Sequence, residues 1–153
     1  MLRKFVLVSV LSLAVSASAA AQPQDGGDAA AVRAVLANYK SSLERLDLEN
    51  VEGLFAADSQ IIESGKIEGT YANYRDHHIG PELAEFSSFK FADYSIQVRI
   101  EGALALTTET YRYSIHLKDK PDVIERRGVA TSVLRKVNGR WQIASMHSSS
   151  RKP

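Results

Sequence analysis

From Ala29 to Leu46 the apolar positions Val32, Val35, Leu36, Tyr39, Leu43 and Leu46 recur at spacings of three and four. Arg33, Lys40, Glu44 and Arg45 fall mostly off that stripe, so the period predicts one helix with a single face to bury. Asp28 precedes it as a candidate N-cap. Asp47 opens a short second helix, Leu48 to Ala56, with Val51, Leu54 and Phe55 as its buried side. Asp58 to Glu63 then reads as a brief strand, turned by Ser64-Gly65-Lys66. A third helix is expected from Thr70 to about His78, carrying Tyr71, Tyr74 and His78 at helical spacing. Gly80-Pro81 interrupts it, because proline disfavours helical geometry in the residue before it, and Pro81 begins another turn over Glu82 to Phe86.

Beyond Phe86 the period drops to two. Phe89 to Ile100 alternates, with a phase change near Ala92-Asp93 that suits a bulge. Glu101-Gly102 turns into a strand from Ala103 to Leu117, and Lys118 to Asp122 is a loop. Val123 to Val137 is a further strand, and Asn138-Gly139 closes a hairpin into the last one. On that last strand, strict alternation places Trp141, Ile143, Ser145 and His147 on one face. Helices followed by an antiparallel meander define an α+β chain. A helical stripe laid on a long, bent antiparallel sheet makes a cone, and the space its apolar packing leaves unfilled becomes a pocket. One domain is expected over residues 29–150, after a mobile linker over 22–28.

Residues 1–21 have the layout of a secretory signal peptide: Arg3 and Lys4, an apolar run from Phe5 to Val15, then Ala19-Ala20-Ala21 before Gln22. That run is shorter than the roughly 20 residues a membrane span needs. A periplasmic or secreted location is therefore expected, with no membrane contact after cleavage. The chain has no cysteine, which excludes a disulfide scaffold, a thiolate nucleophile and a zinc-thiolate site. Losing Arg3 and Lys4 takes the net charge from +1 to −1 (1 − 2 = −1). Nothing in that balance points to nucleic acid, whose binders show a basic stripe.

Taken in order, Tyr39-x3-Leu43-x3-Asp47, Val51-x2-Leu54-Phe55-Ala56-x-Asp58, Glu68-Gly69 and Asn138-Gly139-Arg140-Trp141-x-Ile143-x3-His147-x-Ser149 resemble the nuclear-transport-factor-2-like superfamily. Within it the chain is most similar to SnoaL-like and ketosteroid-isomerase-like bacterial domains, from about Ala30 to Ser149. The resemblance implies a cystatin-like cone, frequently a homodimer through the outer sheet face. It leaves the activity open, because one fold hosts many functions. Carried over from the ketosteroid isomerases, Tyr39 stands at the oxyanion-hole tyrosine and Glu63 at the carboxylate base. Their second donor, an acid kept neutral by an apolar site, falls near Ser132, whose hydroxyl is a poorer donor.

Candidate chemistry gathers on few residues. His147, in phase with Trp141 and Ile143, is expected to face the cavity as a proton-transfer group or ligand; the alternative is a core histidine bonded to a backbone carbonyl. Tyr39 is either packed in the core with its hydroxyl satisfied or an oxyanion donor. Glu63 is either a turn carboxylate or, if buried, a base. Tyr74 and His78 share a helix face, so His78 rather than His77 should reach the pocket, with Glu82 near it. Arg126 shares a face with Ser132 and could clamp a carboxylate or pair with Glu63, Glu82 or Glu109. Trp141 packs on the helix stripe and is counted, with His78, Glu82, Arg126 and Ser132, among the ligand-binding residues, and Tyr111 and Tyr113 are read as dimer-face aromatics. A metal held by His78, Glu82 and His147 is a weak alternative that no HExxH-like spacing supports, and no cofactor is expected. Three functions remain: a small-molecule-binding domain, an isomerase- or hydratase-like enzyme with Tyr39, Glu63 and His147 at work, and an interaction module acting through the sheet face.

Overall fold

The computed structural model describes residues 25–153; the expected signal peptide and most of the expected linker lie outside them. Helix α1 (Asp25–Arg45) is followed by a 3-10 turn (Glu52–Leu54), β1 (Phe55–Glu63), β2 (Lys66–Gly69), α2 (Tyr71–Tyr74), a π turn (Arg75–Ile79) and α3 (Gly80–Glu85). Four long strands complete the chain: β3 (Phe86–Glu101), β4 (Leu104–Leu117), β5 (Val123–Val137) and β6 (Arg140–Arg151). They form one six-stranded sheet in the order β2-β1-β6-β5-β4-β3. The sheet is mixed: β1 runs parallel to β6, while every other neighbouring pair is antiparallel.

Helix α1 buries the expected stripe, with Val32, Leu36, Tyr39 and Leu43 all in the core, and lies against β3 and β6. Asp28 sits inside the helix instead of capping it. Its carboxylate takes Lys136 Nζ at 2.6 Å and the Trp141 indole N–H at 3.1 Å, tying the first turns of α1 to the β5–β6 hairpin. The Lys136 hydrogen bond holds the Asp28 carboxyl below its usual range.

The expected helix over 48–56 does not form. Leu46 and Asn50 take positive φ, Asp47 folds back to accept the Glu49 N–H at 2.8 Å, and only one 3-10 turn precedes β1. Local turn chemistry here competes successfully with helix. Gly80-Pro81 does not interrupt the third helical region either. The Gly80 N–H reaches back to the Arg75 carbonyl across a π turn, and the helix continues through Pro81 in its first turn.

Two bulges set which side chains enter the cone. On β3 the register shifts between Ala92 and Ser95, with Asp93 at φ 52°. Phe89 and Phe91 therefore point inward before the bulge, and Tyr94 and Ile96 after it. On β6 the register shifts opposite Val133 and Leu134, so Ile143 pairs with Leu134 but Ser145 pairs with Val133, leaving Ala144 as the extra residue. Trp141 and Ile143 face the core, and beyond the bulge Met146 and Ser148 take the inner positions. His147 is turned to the outer face and is exposed.

Candidate functional site

Between α1, α3 and the inner sheet face lies a cavity of about 110 Å³. Its apolar walls include Leu36, Leu43, Phe86, Phe89, Ile115 and Met146, and it opens to solvent past Lys40, Glu82 and Ser150. An apolar cavity of about 150 Å³ accommodates one benzene ring, so one ring is the upper limit for this smaller cavity and any further substituent reaches out through its mouth. The aromatic wall is self-supporting: Phe89 stacks on Phe91 at 4.9 Å, and the Tyr111 ring meets Phe91 edge-on at 5.1 Å. Tyr111 lies flat over Gly128, where a Cβ would come within 2.1 Å of the ring. Lys40 Nζ sits 5.3 Å from the Phe91 ring centre and 2.8 Å from Glu44, placing a compensated cation at the mouth.

Three carboxyl groups reach this space, Glu82 at the mouth and Glu109 and Glu63 further in. Glu109, on β4, is 7% exposed and accepts a short hydrogen bond from the Tyr94 hydroxyl. Burial pushes its pKa up, opposed only by that hydrogen bond. Glu63, at the end of β1, pairs with Ser148 across the parallel ladder and accepts the Tyr74 hydroxyl at 2.5 Å. Tyr39, from the α1 stripe, lies in the same cavity. Its pKa is driven well above the ordinary phenol value, first by burial and then by neighbours that include Glu63 and Glu109. A phenol held protonated beside two carboxyls is a hydrogen-bond donor to anything bound there.

Behind Glu63 stands a second polar cluster. His78, on the π turn, places Nδ1 3.0 Å from Glu68 Oε1, and Nε2 3.3 Å from Glu82 Oε1 and 3.7 Å from Glu63 Oε2. Glu68 is buried on β2 and takes Lys66 Nζ at 2.9 Å. That hydrogen bond leads the causes that hold its pKa below the usual carboxylate range. Glu82 has its pKa raised, first by burial, with the charges of Glu63 and Glu68 adding to it and His78 opposing.

Of the residues singled out in the sequence, Tyr39, Glu63 and Glu82 line the cavity, and His78 joins them through Glu63 and Glu82. His147 does not: the extra residue at Ala144 inverts the phase and puts it on the opposite sheet face. The set His78, Glu82 and His147 is therefore not brought together, and among the described residues no group of three or more His, Asp or Glu side chains is arranged to hold a metal. Arg126 is on the inner face but at the rim beyond the cavity, donating to the Glu125 carbonyl at 2.9 Å. Its expected pairing with Glu63, Glu82 or Glu109 is not made. Ser132 lies deeper along β5 than the cavity reaches, its Oγ buried without a partner. Trp141 is core, spent on Asp28 and on the Lys136 cation 5.8 Å above its ring.

Tyr111 and Tyr113 are cavity residues, not outer-face aromatics. Both lie on the inner side because Arg112 points out and because Tyr111 is in register with Gly128. Glu109, Tyr94 and Lys40 are further site residues that sequence reasoning passed over. The available signal was that Ala105, Thr107 and Glu109 share a phase with Tyr111, facing Gly128, Ala130 and Ser132 across the ladder.

A cone of this topology, with a helix-covered sheet enclosing aromatic walls and a few inward polar groups, is the nuclear-transport-factor-2-like α+β fold. The SnoaL-like domain model matches residues 32–152, and the chain belongs to that family. A candidate ketosteroid isomerase from Shewanella frigidimarina is 27% identical, with a TM-score of 0.67 over 78% of this chain and 94% of its own. A candidate dehydratase of the same fold family from Streptomyces avermitilis superposes with a TM-score of 0.71 at 18% identity, covering 84% of this chain and 99% of its own. A candidate scytalone dehydratase from Novosphingobium aromaticivorans gives 0.68 at 14% identity, covering 83% of this chain and 86% of its own. No protein of curated function matches the sequence.

Proposed function

We propose that the protein is an exported domain that binds a small, one-ring-sized molecule bearing a hydroxyl or carbonyl group. The observation that carries this reading is Glu109: a buried carboxyl, with its pKa raised, set into an otherwise aromatic wall beside Tyr94 and Tyr39. Burying such a group is costly unless it has partners, and a polar atom on a bound molecule supplies one. The apolar walls contribute affinity, and the few inward polar groups orient the ligand. Titration with p-cresol and with cyclohexanone, followed by methyl NMR of Leu36, Ile115 and Met146, tests it. Saturable shifts confined to those methyls, weakened in Glu109→Leu, are expected; no shift with either probe at millimolar concentration would count decisively against the reading.

A second reading, proton transfer of the isomerase or dehydratase kind, is favoured by one specific arrangement. Glu63 and Glu109 enter the same cavity in unlike surroundings, one hydrogen-bonded at a half-exposed strand end and the other dry. Unlike environments are how two carboxyls come to serve one as base and the other as donor. Ser132 lacks the neutral acid that the ketosteroid-isomerase pattern calls for, and Glu109 on the neighbouring strand supplies one. The likeness to the Shewanella protein adds to this reading. Two further proposals accompany it. The Arg3–Ala21 layout supports export, tested by N-terminal sequencing of the protein from cell fractions. Exposed Leu104, Leu106 and Val129 on the outer sheet face support a homodimer, which light scattering would contradict by returning a monomer.

A further inference from the structure

The polar cluster behind Glu63 is built more carefully than a surface ion-pair group requires. Glu68 is buried, and both its oxygens are committed, one to Lys66 and one to His78 Nδ1. Its backbone carbonyl takes the Asn73 amide at 2.6 Å, fixing β2 to the start of α2. A lowered pKa makes Glu68 a carboxylate acceptor, so Nδ1 of His78 carries a hydrogen. Nε2 then faces the carboxyl oxygens of Glu82 and Glu63. Glu63 Oε2 is already taken by the Tyr74 hydroxyl, and an Nε2 without a proton at rest is free to accept one. The titratable and charged groups around the ring are Glu63 from β1, Lys66 and Glu68 from β2, Tyr74 from α2 and Glu82 from α3.

The ring is also placed by the backbone. His78 packs on Tyr74 with centroids 5.2 Å apart, and the π turn that carries it closes on Gly80. A Cβ at Gly80 would lie 2.4 Å from the Arg75 carbonyl oxygen, so only glycine admits this turn. Single π turns inside helices recur at functional sites.

We propose that His78 is the proton-holding partner of Glu63, acting from behind it and not on the ligand. This rests on the proton-transfer reading above. Glu63 takes a proton from a carbon next to a ligand carbonyl, and the electron pair of the broken C–H bond moves onto the ligand as an enolate. The carboxylic acid so formed passes its proton to His78 Nε2, and the imidazolium is held by the Glu68 carboxylate. Glu63 regains its charge and is ready to accept again. The proton returns by the same route to a ligand carbon, or leaves through Glu82 to solvent; no electron leaves the ligand and no co-reactant is consumed. The 3.7 Å separation of Nε2 from Glu63 exceeds a hydrogen bond and has to shorten for the transfer, as catalytic hydrogen bonds that are long in ligand-free sites often do on binding.

The test has a ligand-free arm and a kinetic arm. In protein labelled with ¹⁵N-histidine, His78 is expected to show a hydrogen-bonded Nδ1–H that is lost in Glu68→Gln. Its Nε2 resonance should lie at the bare-nitrogen position in the resting wild-type protein at neutral pH; an Nε2 that already carries a proton there overturns the proposal. For the kinetic arm the probe is 3-cyclohexenone, read by deuterium uptake from D₂O. His78→Gln and Glu68→Gln are each expected to lower kcat at least about tenfold, with KM little changed and one limb of the pH profile gone. Glu68→Asp should recover part of the loss. If Glu63→Gln abolishes exchange while His78→Gln retains the wild-type rate and pH profile, the relay is wrong and the proton-transfer reading stands. A wild-type protein no faster than buffer sinks that reading and the relay together.

Discussion

Of the three carboxyl groups that line the cavity, Glu109 and Glu63 enter it from opposite kinds of wall. Glu109 comes from β4 and is surrounded by aromatic rings, with the Tyr94 hydroxyl donating to its carboxyl. Glu63 comes from β1, three strands away in the sheet order and so roughly 14 Å apart at the backbone. It is half-exposed and belongs to a polar cluster with Tyr74, His78, Glu68 and Glu82. The same functional group is thus given a dry setting and a wet one. In the dry setting the neutral acid is favoured and the carboxyl can donate; in the wet one charge is tolerated. Placing Glu63 and Glu109 on distant strands is what allows both settings within one small domain.

The largest difference between the walls should appear in stability. Phe89 is 7% exposed and packs on Phe86, Phe91 and Tyr113. Phe89→Ala should cost about 3–5 kcal/mol, since the cavity it leaves is bounded by strands that cannot collapse. Urea unfolding measures this, and a loss of under ~1 kcal/mol would mean the aromatic wall relaxes freely. Gly128→Ala comes next. The added methyl must push the Tyr111 ring into the cavity, at about 1–3 kcal/mol, and it should weaken p-cresol binding as well. Unchanged binding in that variant would show that Tyr111 does not shape the space a ligand uses.

Glu109 itself gives a prediction of sign. Its folded pKa lies above the unfolded value because burial disfavours the charged form. Below the unfolded pKa both states carry the proton and there is no penalty. As pH rises past the unfolded value toward the folded one, the unfolded state releases its proton first, and stability falls. Wild-type protein should therefore lose stability relative to Glu109→Gln on going from acid to neutral pH. Parallel pH dependence in the two proteins would place the Glu109 carboxyl in contact with water.

The contrast between the walls was only partly legible in the sequence, and the two bulges show why. On β3 the phase change is written in the side chains: Phe89 and Phe91, then Tyr94 and Ile96, cannot share one face without an inserted residue. On β6 the residues around the insertion are Gln142, Ala144 and Ser145, which fit either face, so strict alternation carries on to His147 and misplaces it. Only the pairing of Ile143 with Leu134 and of Ser145 with Val133 reveals the extra residue. Glu109 and Tyr111 were hidden for a related reason. Both faces of β4 bear apolar side chains, and register against Gly128 decides which is inner. The α1 stripe was readable because its period runs unbroken from Val32 to Leu43. The segment after it was not, because Asp47 and Asn50 act through local turn geometry that periodicity does not register.

The wet wall should respond least. Tyr74→Phe removes the 2.5 Å hydrogen bond to Glu63 but leaves the ring in place. Glu63 is partly solvated and can turn to water, so a loss of about 0.5–1.5 kcal/mol is expected. Glu82→Ala, at the half-exposed mouth, should fall within about ±0.5 kcal/mol. That small number is informative in combination: if Glu82→Ala and Tyr74→Phe together cost no more than their sum, the two side chains act on the cluster independently. A double-mutant coupling above about 0.5 kcal/mol would instead mean that Tyr74, Glu63, His78 and Glu82 behave as one hydrogen-bonded unit, and that the polar wall is as preorganised as the aromatic one.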